Sequence, residues 1–275
     1  MSRAVAGTLD VVGRRIAYRQ QGSGPPVVCV HGYVGDSRTW VAQLGALSDA
    51  FTVVAWDAPG FGGSDDPPDG FTLADYADCL AGFIRALGFS RVHVIGMSFG
   101  GGLAIELYGR APDVVASLTL ASAYAGWAAS LPPDEVAHRL QQALRLADLS
   151  GDELASTLMP TMFSDQAPPE LSSEFEAAVR DFHPSGLRAT ARAFAAADLR
   201  NILSTIAVPT LLLYGDRDVR APIVVGQAIH DAIRGSKLVV IPGCGHILNI
   251  EAATHFNAEV RAFLTSVGEP SRRAS

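Results

Sequence analysis

Residues Val92 to Ile105 read Val-His-Val-Ile-Gly-Met-Ser-Phe-Gly-Gly-Gly-Leu-Ala-Ile, a β-branched run, a glycine-flanked serine and an apolar helical pattern set back to back. A strand that turns into a helix this abruptly needs small residues around the turn, because only they let the two backbones approach closely. Gly96-x-Ser98-x-Gly100 meets that need and puts Ser98 at a strained, exposed apex. Ser98 is thereby presented as a nucleophile. A helix beginning at the serine also aims its unpaired N–H groups, and the positive end of its dipole, at any anion formed beside it. An ordinary glycine-rich strand-to-helix turn shares the five-residue pattern, so the reading draws on the flanking strand and helix as well.

Other apolar runs extend the same alternation. Thr8–Val12 and Arg15–Arg19 flank Gly13 and read as a hairpin. Pro26–His31 and Phe51–Trp56 are continuous apolar runs bounded by turn residues, the pattern of strands buried on both faces. Helices are expected from about Thr39 to Leu47 and from Phe71 to Leu87, the latter stopped by Gly88. Val114–Leu120, Val208–Gly215 and Lys237–Ile241 read as further strands, with helices over Ile223–Ile233 and Glu251–Leu264. Strands alternating with helices in this way imply a doubly wound α/β sheet.

The rhythm breaks after residue 125. From Trp127 to Ala197 no buried strand is expected; three or four amphipathic helices follow one another instead. Val136, Leu140, Ala143, Leu144 and Ala147 form one stripe, Leu171, Phe175, Ala178, Val179 and Phe182 a second, and Leu187, Ala191 and Phe194 a third. The chain thus divides into a core of residues 1–125 and 198–275 and a helical cap inserted at 126–197. Such helices cannot bury their apolar stripes alone, so the cap is expected to pack over the sheet's carboxyl edge and roof Ser98. Trp127, Met159, Met162 and Phe163, with Phe182 and His183, are candidates to line a substrate pocket there.

Composition removes several classes of function. With a net charge of −7 and arginines paired only at Arg14-Arg15 and Arg272-Arg273, the chain has no basic footprint for nucleic acid. No apolar run approaches the roughly 20 residues that span a bilayer, and Met1–Val5 does not open an apolar leader, so a cytoplasmic protein is expected. Cys29, Cys79 and Cys244 have no metal-ligand spacing, and no metal is expected. Cys29 and Cys79 read as small buried hydrophobes, whereas Cys244, two residues before His246, admits a catalytic-thiol reading. The loop Asp57–Asp65 is rich in glycine but lacks the Gly-Lys-Ser/Thr ending of a phosphate-binding loop. The polar tail from Glu269 to Ser275 is expected to fray.

Ser98, Asp218 and His246 each stand where a buried strand runs out, and open α/β sheets bind ligands at that edge. A serine hydroxyl becomes a useful nucleophile when a neutral imidazole takes its proton and a buried carboxylate fixes the imidazole's tautomer. Activity should therefore rise with pH as the imidazole deprotonates. The oxyanion of acyl transfer needs donors, and the backbone N–H groups of Phe99 and Tyr33 are the candidates. Asp216 competes with Asp218 for the role of acid.

With these residues in hand, the chain resembles the α/β-hydrolase superfamily from about Thr8 to Leu264. The motifs that carry the resemblance are His31-Gly32, Asp57-x-Pro59-Gly60-x-Gly62-x-Ser64, Gly96-x-Ser98-x-Gly100-Gly101, Gly215-Asp216-Arg217-Asp218 and Gly245-His246. Within the superfamily it looks like the esterase and 3-oxoadipate enol-lactonase branch, with relatives among cofactor-free perhydrolases and carbon–carbon bond hydrolases. The resemblance implies a mostly parallel eight-stranded sheet, a Ser98–His246–Asp218 triad, a structural His31 that shapes the oxyanion loop, and no cofactor. It favours Asp218 over Asp216. The expected partner is a small-molecule ester or lactone, with a homo-oligomer left open; a non-hydrolytic ligand receptor of the same fold is the competing class. Epoxide and haloalkane hydrolases of the superfamily carry an aspartate where this chain has Ser98. The loop from His31 to Asp36 lacks the additional glycines and proline of the carbon–carbon hydrolases, which favours esters or lactones, and no arginine is assignable from sequence as a carboxylate clamp.

Overall fold

The structure, a computed structural model, describes residues 4–168, 171 and 173–268. The frayed tail expected from Glu269 lies outside the described residues. The strands are β1 Val5–Asp10, β2 Arg15–Gln21, β3 Pro26–Val30, β4 Thr52–Trp56, β5 Val92–Met97, β6 Val115–Ala121, β7 Thr210–Gly215 and β8 Lys237–Ile241. They form one sheet in the order β1-β2-β4-β3-β5-β6-β7-β8. The β1–β2 and β2–β4 pairings are antiparallel, and β3 to β8 run parallel.

The parallel strands are apolar throughout because both faces are covered. Val28, Val30, Val92, Val94, Leu212 and Tyr214 point into one core with α2 Leu73–Ala86, α3 Phe99–Arg110 and α10 Ile223–Ala232. Their alternating neighbours Val27, Cys29, Ile95, Met97, Leu211 and Leu213 point into the other with α1 Val41–Leu47 and α12 Ala253–Val267. The period-two alternation of a strand thus fills two cores from one run of residues. The chain leaves β3 for β4 on one side and then crosses back to β5 on the other, so the winding reverses between β3 and β5. Such a reversal opens a crevice at the carboxyl ends, where the loops after β3 and β5 meet.

Between β6 and β7 lie α4 Trp127–Ser130, α5 Pro133–Leu146, α6 Gly151–Met162, α7 Ser173–Arg180, α8 Pro184–Ala196 and α9 Arg200–Leu203, with no strand among the described residues. Three expectations need correction. Leu171 precedes α7 and is exposed rather than part of its buried stripe. Of the first stripe only Ala143 and Ala147 are buried and Val136, Leu140 and Leu144 are half-buried, because α5 packs against α8 on one side and borders the cavity with another. The closing helix begins at Ala253, after a separate turn, α11 Leu248–Glu251. No helix among the described residues is long and apolar enough to cross a membrane.

Candidate active site

Ser98 holds φ 53° and ψ −114°, a left-handed conformation that costs a non-glycine residue about 1–3 kcal/mol. Its surroundings enforce it. The Ser98 N–H donates to the Ala121 carbonyl at 2.8 Å, and the Ser98 carbonyl accepts from Gly101 at 2.9 Å. A Cβ on Gly96 would stand 2.2 Å from the Gly100 carbonyl oxygen, and one on Gly100 would stand 2.2 Å from that of Val30. No side chain fits at either position, which is why glycines bracket the serine and leave it half-buried at the apex.

From that apex the Ser98 hydroxyl donates to His246 Nε2 across 3.0 Å, and His246 Nδ1–H donates to Asp218 Oδ2 at 2.8 Å. The other Asp218 oxygen accepts the N–H groups of Arg220 and Ala221, both at 2.8 Å. Burial pushes the Asp218 carboxyl up, but His246 beside it, their hydrogen bond and the Ala221 N–H outweigh this and hold it below the ordinary carboxylate value. It therefore stays ionised where an imidazole titrates. Asp216 is exposed and binds the Gly243 N–H at 2.6 Å, bracing the loop rather than meeting His246. Cys244 is buried and its thiol is pushed up to about 12, chiefly by that burial, so no thiolate competes with Ser98.

His31 is buried away from this chain. Its Nδ1–H donates to the Gly32 carbonyl at 2.7 Å and its Nε2 accepts the Ala58 N–H at 3.0 Å, which ties the loop after β3 to the loop after β4. Asp57 accepts from Ser37 at 2.6 Å and Gly63 at 3.1 Å and braces the same loops. The loop so held brings Gly32 against Ser98: a Cβ there would lie 3.5 Å from Ser98 Cβ. Tyr33 follows it and lines the two cavities that also contain Ser98. Phe99 opens α3, so its N–H has no acceptor within its own helix.

The inner cavity is small, about 30 Å³, and is lined by Gly32, Val34, Met97, Met162, Phe175 and Ile247 around Ser98. The outer one, about 730 Å³, lies between Ser98 and the inserted helices. Phe99, Phe194 and Trp127 form an aromatic wall there, with ring centroids 5.4 Å and 5.8 Å apart in succession. Of the candidate pocket residues, Trp127 lines the outer cavity and Met162 the inner one. Met159 and Phe163 line neither; they pack against the core, Phe163 edge-on to Phe175 at 5.9 Å. The turn of α6 separates Met159 from Met162, and Phe163 lies beyond its end. Phe182 joins the same core, and His183 pairs with Asp66 at 2.8 Å outside the cavity.

Arg220, Arg139 and Tyr124 also line the outer cavity, and sequence reasoning missed all three as site residues. The signal for Arg220 was its place two residues beyond Asp218, whereas Arg139 depends on how α5 is laid over the sheet. Among the described residues no cluster of His, Cys, Asp and Glu is arranged to hold a metal ion.

A model of the alpha/beta hydrolase fold family matches residues 25–253. An esterase from Thermogutta terrifontis superposes with a TM-score of 0.86 at 28% identity, over 97% of this chain and 99% of that one. The enol-lactonase from Burkholderia xenovorans LB400 gives 0.86 at 27% identity, over 94% and 100%. A putative carbamate hydrolase, RutD, from Cronobacter turicensis is 30% identical over 250 residues, 88% of this chain and 92% of its own length. The strained serine, the winding of the sheet and these likenesses agree: this chain belongs to the α/β-hydrolase fold family and resembles its esterases and enol-lactonases.

Proposed function

We propose that the protein hydrolyses a carboxylic ester or lactone through an acyl-serine, with Ser98 as nucleophile, His246 as general base and acid, and Asp218 as the orienting carboxylate. The observation that carries the reading is the unbroken hydrogen-bonded chain from Ser98 through His246 to Asp218 at an apex open to a cavity. Ser98 Oγ attacks the carbonyl carbon while its proton passes to His246 Nε2. The oxyanion is met by the N–H groups of Phe99 and Tyr33. Collapse expels the alkoxide, which takes the proton from His246; a water, deprotonated by the same imidazole, then cleaves the acyl-serine and restores the hydroxyl. The reading calls on no metal or cofactor.

The cavities divide the substrate between them. A space of about 30 Å³ suits a short acyl group, while the outer cavity, walled by Trp127 and Phe194, takes the rest of the molecule. The inserted helices act on this reading as the element that selects substrate.

The test is a fluorophosphonate reaction followed by peptide mass spectrometry, with turnover of p-nitrophenyl acetate alongside. One adduct on Ser98, and loss of both adduct and turnover in Ser98→Ala with an unchanged circular dichroism spectrum, is the expected result. An adduct elsewhere, or near-normal turnover by the variant, overturns the reading. A tenfold preference for a ring-fission diketone over simple esters and lactones would move the reaction to carbon–carbon cleavage.

A further inference from the structure

Three described residues other than glycine hold a left-handed backbone: Val12 at φ 54°, Ser98 at φ 53° and Ser122 at φ 45°. Val12 sits in the exposed turn between β1 and β2, and Ser98 is the apex of the strand-to-helix turn. Ser122 is neither. It follows the last residue of β6, is fully buried and lines neither cavity. Glycine adopts such a backbone freely, whereas serine does so only under constraint from its surroundings, and strain of this kind clusters at functional sites.

Those surroundings are the groups read as catalytic. The Ser122 N–H donates to the Leu213 carbonyl of β7 at 2.9 Å, and the carbonyl of the same peptide unit, that of Ala121, accepts the Ser98 N–H at 2.8 Å. The Ser122 hydroxyl donates to the His246 main-chain carbonyl at 3.1 Å. It also reaches Asp218: burial pushes that carboxyl up, and Ser122 is among the groups, led by His246, that bring it below its ordinary value. Nucleophile, base and acid arrive from the ends of β5, β8 and β7, and all three meet the Ala121–Ser122 segment at the end of β6.

We propose that Ser122 is a positioning residue for the reaction, its hydroxyl fixing the main chain of His246 and the carboxylate of Asp218 to the peptide unit that holds Ser98. The inference rests on the acyl-serine reading and adds a residue to it. A His246 backbone free of this bond lets the imidazole tilt, and Nε2 then leaves its 3.0 Å contact with Ser98 Oγ. Displacement of a catalytic group by about 1 Å costs about 10²-fold. Loss of the hydroxyl costs less, because the Met162 carbonyl still holds the His246 N–H at 2.9 Å. Ser122 touches neither the substrate nor the atoms that react.

Ser122→Ala and Ser122→Gly test it, because both lack the hydroxyl and only glycine accepts the left-handed backbone without strain. With p-nitrophenyl acetate we expect kcat to fall about tenfold in both and KM to stay within about twofold. The rate of fluorophosphonate labelling at Ser98 should fall with kcat. Ser122→Cys, which restores a weak donor, should recover part of the loss. Added to Asp218→Asn, Ser122→Ala should cost about threefold or less, since groups that act as a unit are not additive. Wild-type kcat in Ser122→Gly overturns the proposal, as does an equal loss in both backgrounds; the residue then only shapes the backbone. Loss of the native circular dichroism spectrum in all three Ser122 variants overturns it too, because the hydroxyl then holds the sheet. Absence of a Ser98 adduct in the wild type strikes the acyl-serine reading and this inference together, whereas unchanged kinetics of the Ser122 variants beside an intact adduct strike this inference alone.

Discussion

The backbone of His246 hangs from Met162: its N–H donates to the Met162 carbonyl at 2.9 Å, and the next N–H, of Ile247, donates to the same oxygen at 3.0 Å. The residue read as general base is therefore held by the last turn of α6, an element of the helical insertion. Glu251 completes the join, accepting the Gly245 N–H at 2.9 Å, the Ser164 N–H at 3.1 Å and the Ser164 hydroxyl.

Glu251→Gln replaces one acceptor oxygen with a donor that faces N–H groups, so the loop before His246 loses its hold. Glu251 lines neither cavity, so kcat should fall by about 10- to 100-fold with KM little changed, because displacement of a catalytic group by about 1 Å costs that much. Steady-state kinetics with a neutral ester measure it. A rise in KM at constant kcat would show that the residue serves the pocket instead.

Asp218→Asn should lower turnover by about 10⁴, since an amide favours the wrong tautomer of the imidazole. Asp216→Asn should cost far less, because Asp216 meets Gly243 and not His246. Equal penalties, measured by initial rates under saturating ester, would mean that the loop bond matters as much as the histidine bond.

Gly186→Ala drives a methyl group to within 2.0 Å of the Gly60 carbonyl oxygen, where the start of α8 rests on the loop after β4. Overpacking of this kind costs about 1–3 kcal/mol. Urea unfolding should register it as a lower midpoint at constant slope. An unchanged midpoint would show that the contact yields without strain.

Acid should weaken the fold through His93. Its Nδ1 is hydrogen-bonded to Ser117 Oγ at 2.8 Å while its Nε2 is buried without a hydrogen-bond partner among the described residues, and the ring stands nearly perpendicular to that of Phe51. Burial, aided by Arg91, depresses its pKa from 6.5 to about 4. The unfolded chain binds that proton first, so stability present above about pH 6.5 drains away as pH falls toward about 4, by on the order of 3 kcal/mol. Urea unfolding of wild type and His93→Gln at pH 7.5 and 4.5 checks the sign. The variant should lose less; an identical loss would assign the acid sensitivity to other groups.

The strands and the serine turn are legible in the sequence because their determinants are local. Val27 to Val30 must be apolar at every position to fill two cores, and Gly96 and Gly100 cannot carry side chains. The start of α6 carries a local signal that the sequence reading leaves unused, the Ser150–Glu153 capping box. What faces the cavity was not legible. Met159 and Met162 share a helix and a residue type and both pack into the second core, yet only Met162 also borders the cavity at Ser98. Arg220 reads as one more polar loop residue until Thr161 and Tyr33 are brought to it from distant parts of the chain. Those placements depend on how helices lie over the sheet, which a stripe of apolar residues constrains only to a face.

The inserted helices are fastened to the core at their margins. Leu199 bonds the Ala125 carbonyl at the stem, Gly186 sits on Gly60, Asp66 accepts from His183 and Ser185, and Met162 holds the loop of His246. Between these attachments α5 contributes one fully buried side chain, Ala143, and turns Arg139, Gln142 and Leu146 to the cavity. On the proposed reading, the roof is anchored where the chemistry needs rigidity and lightly built where selectivity is decided. Exchanges along α5 therefore cost the scaffold little, so descendants of this chain can change diet without relearning hydrolysis.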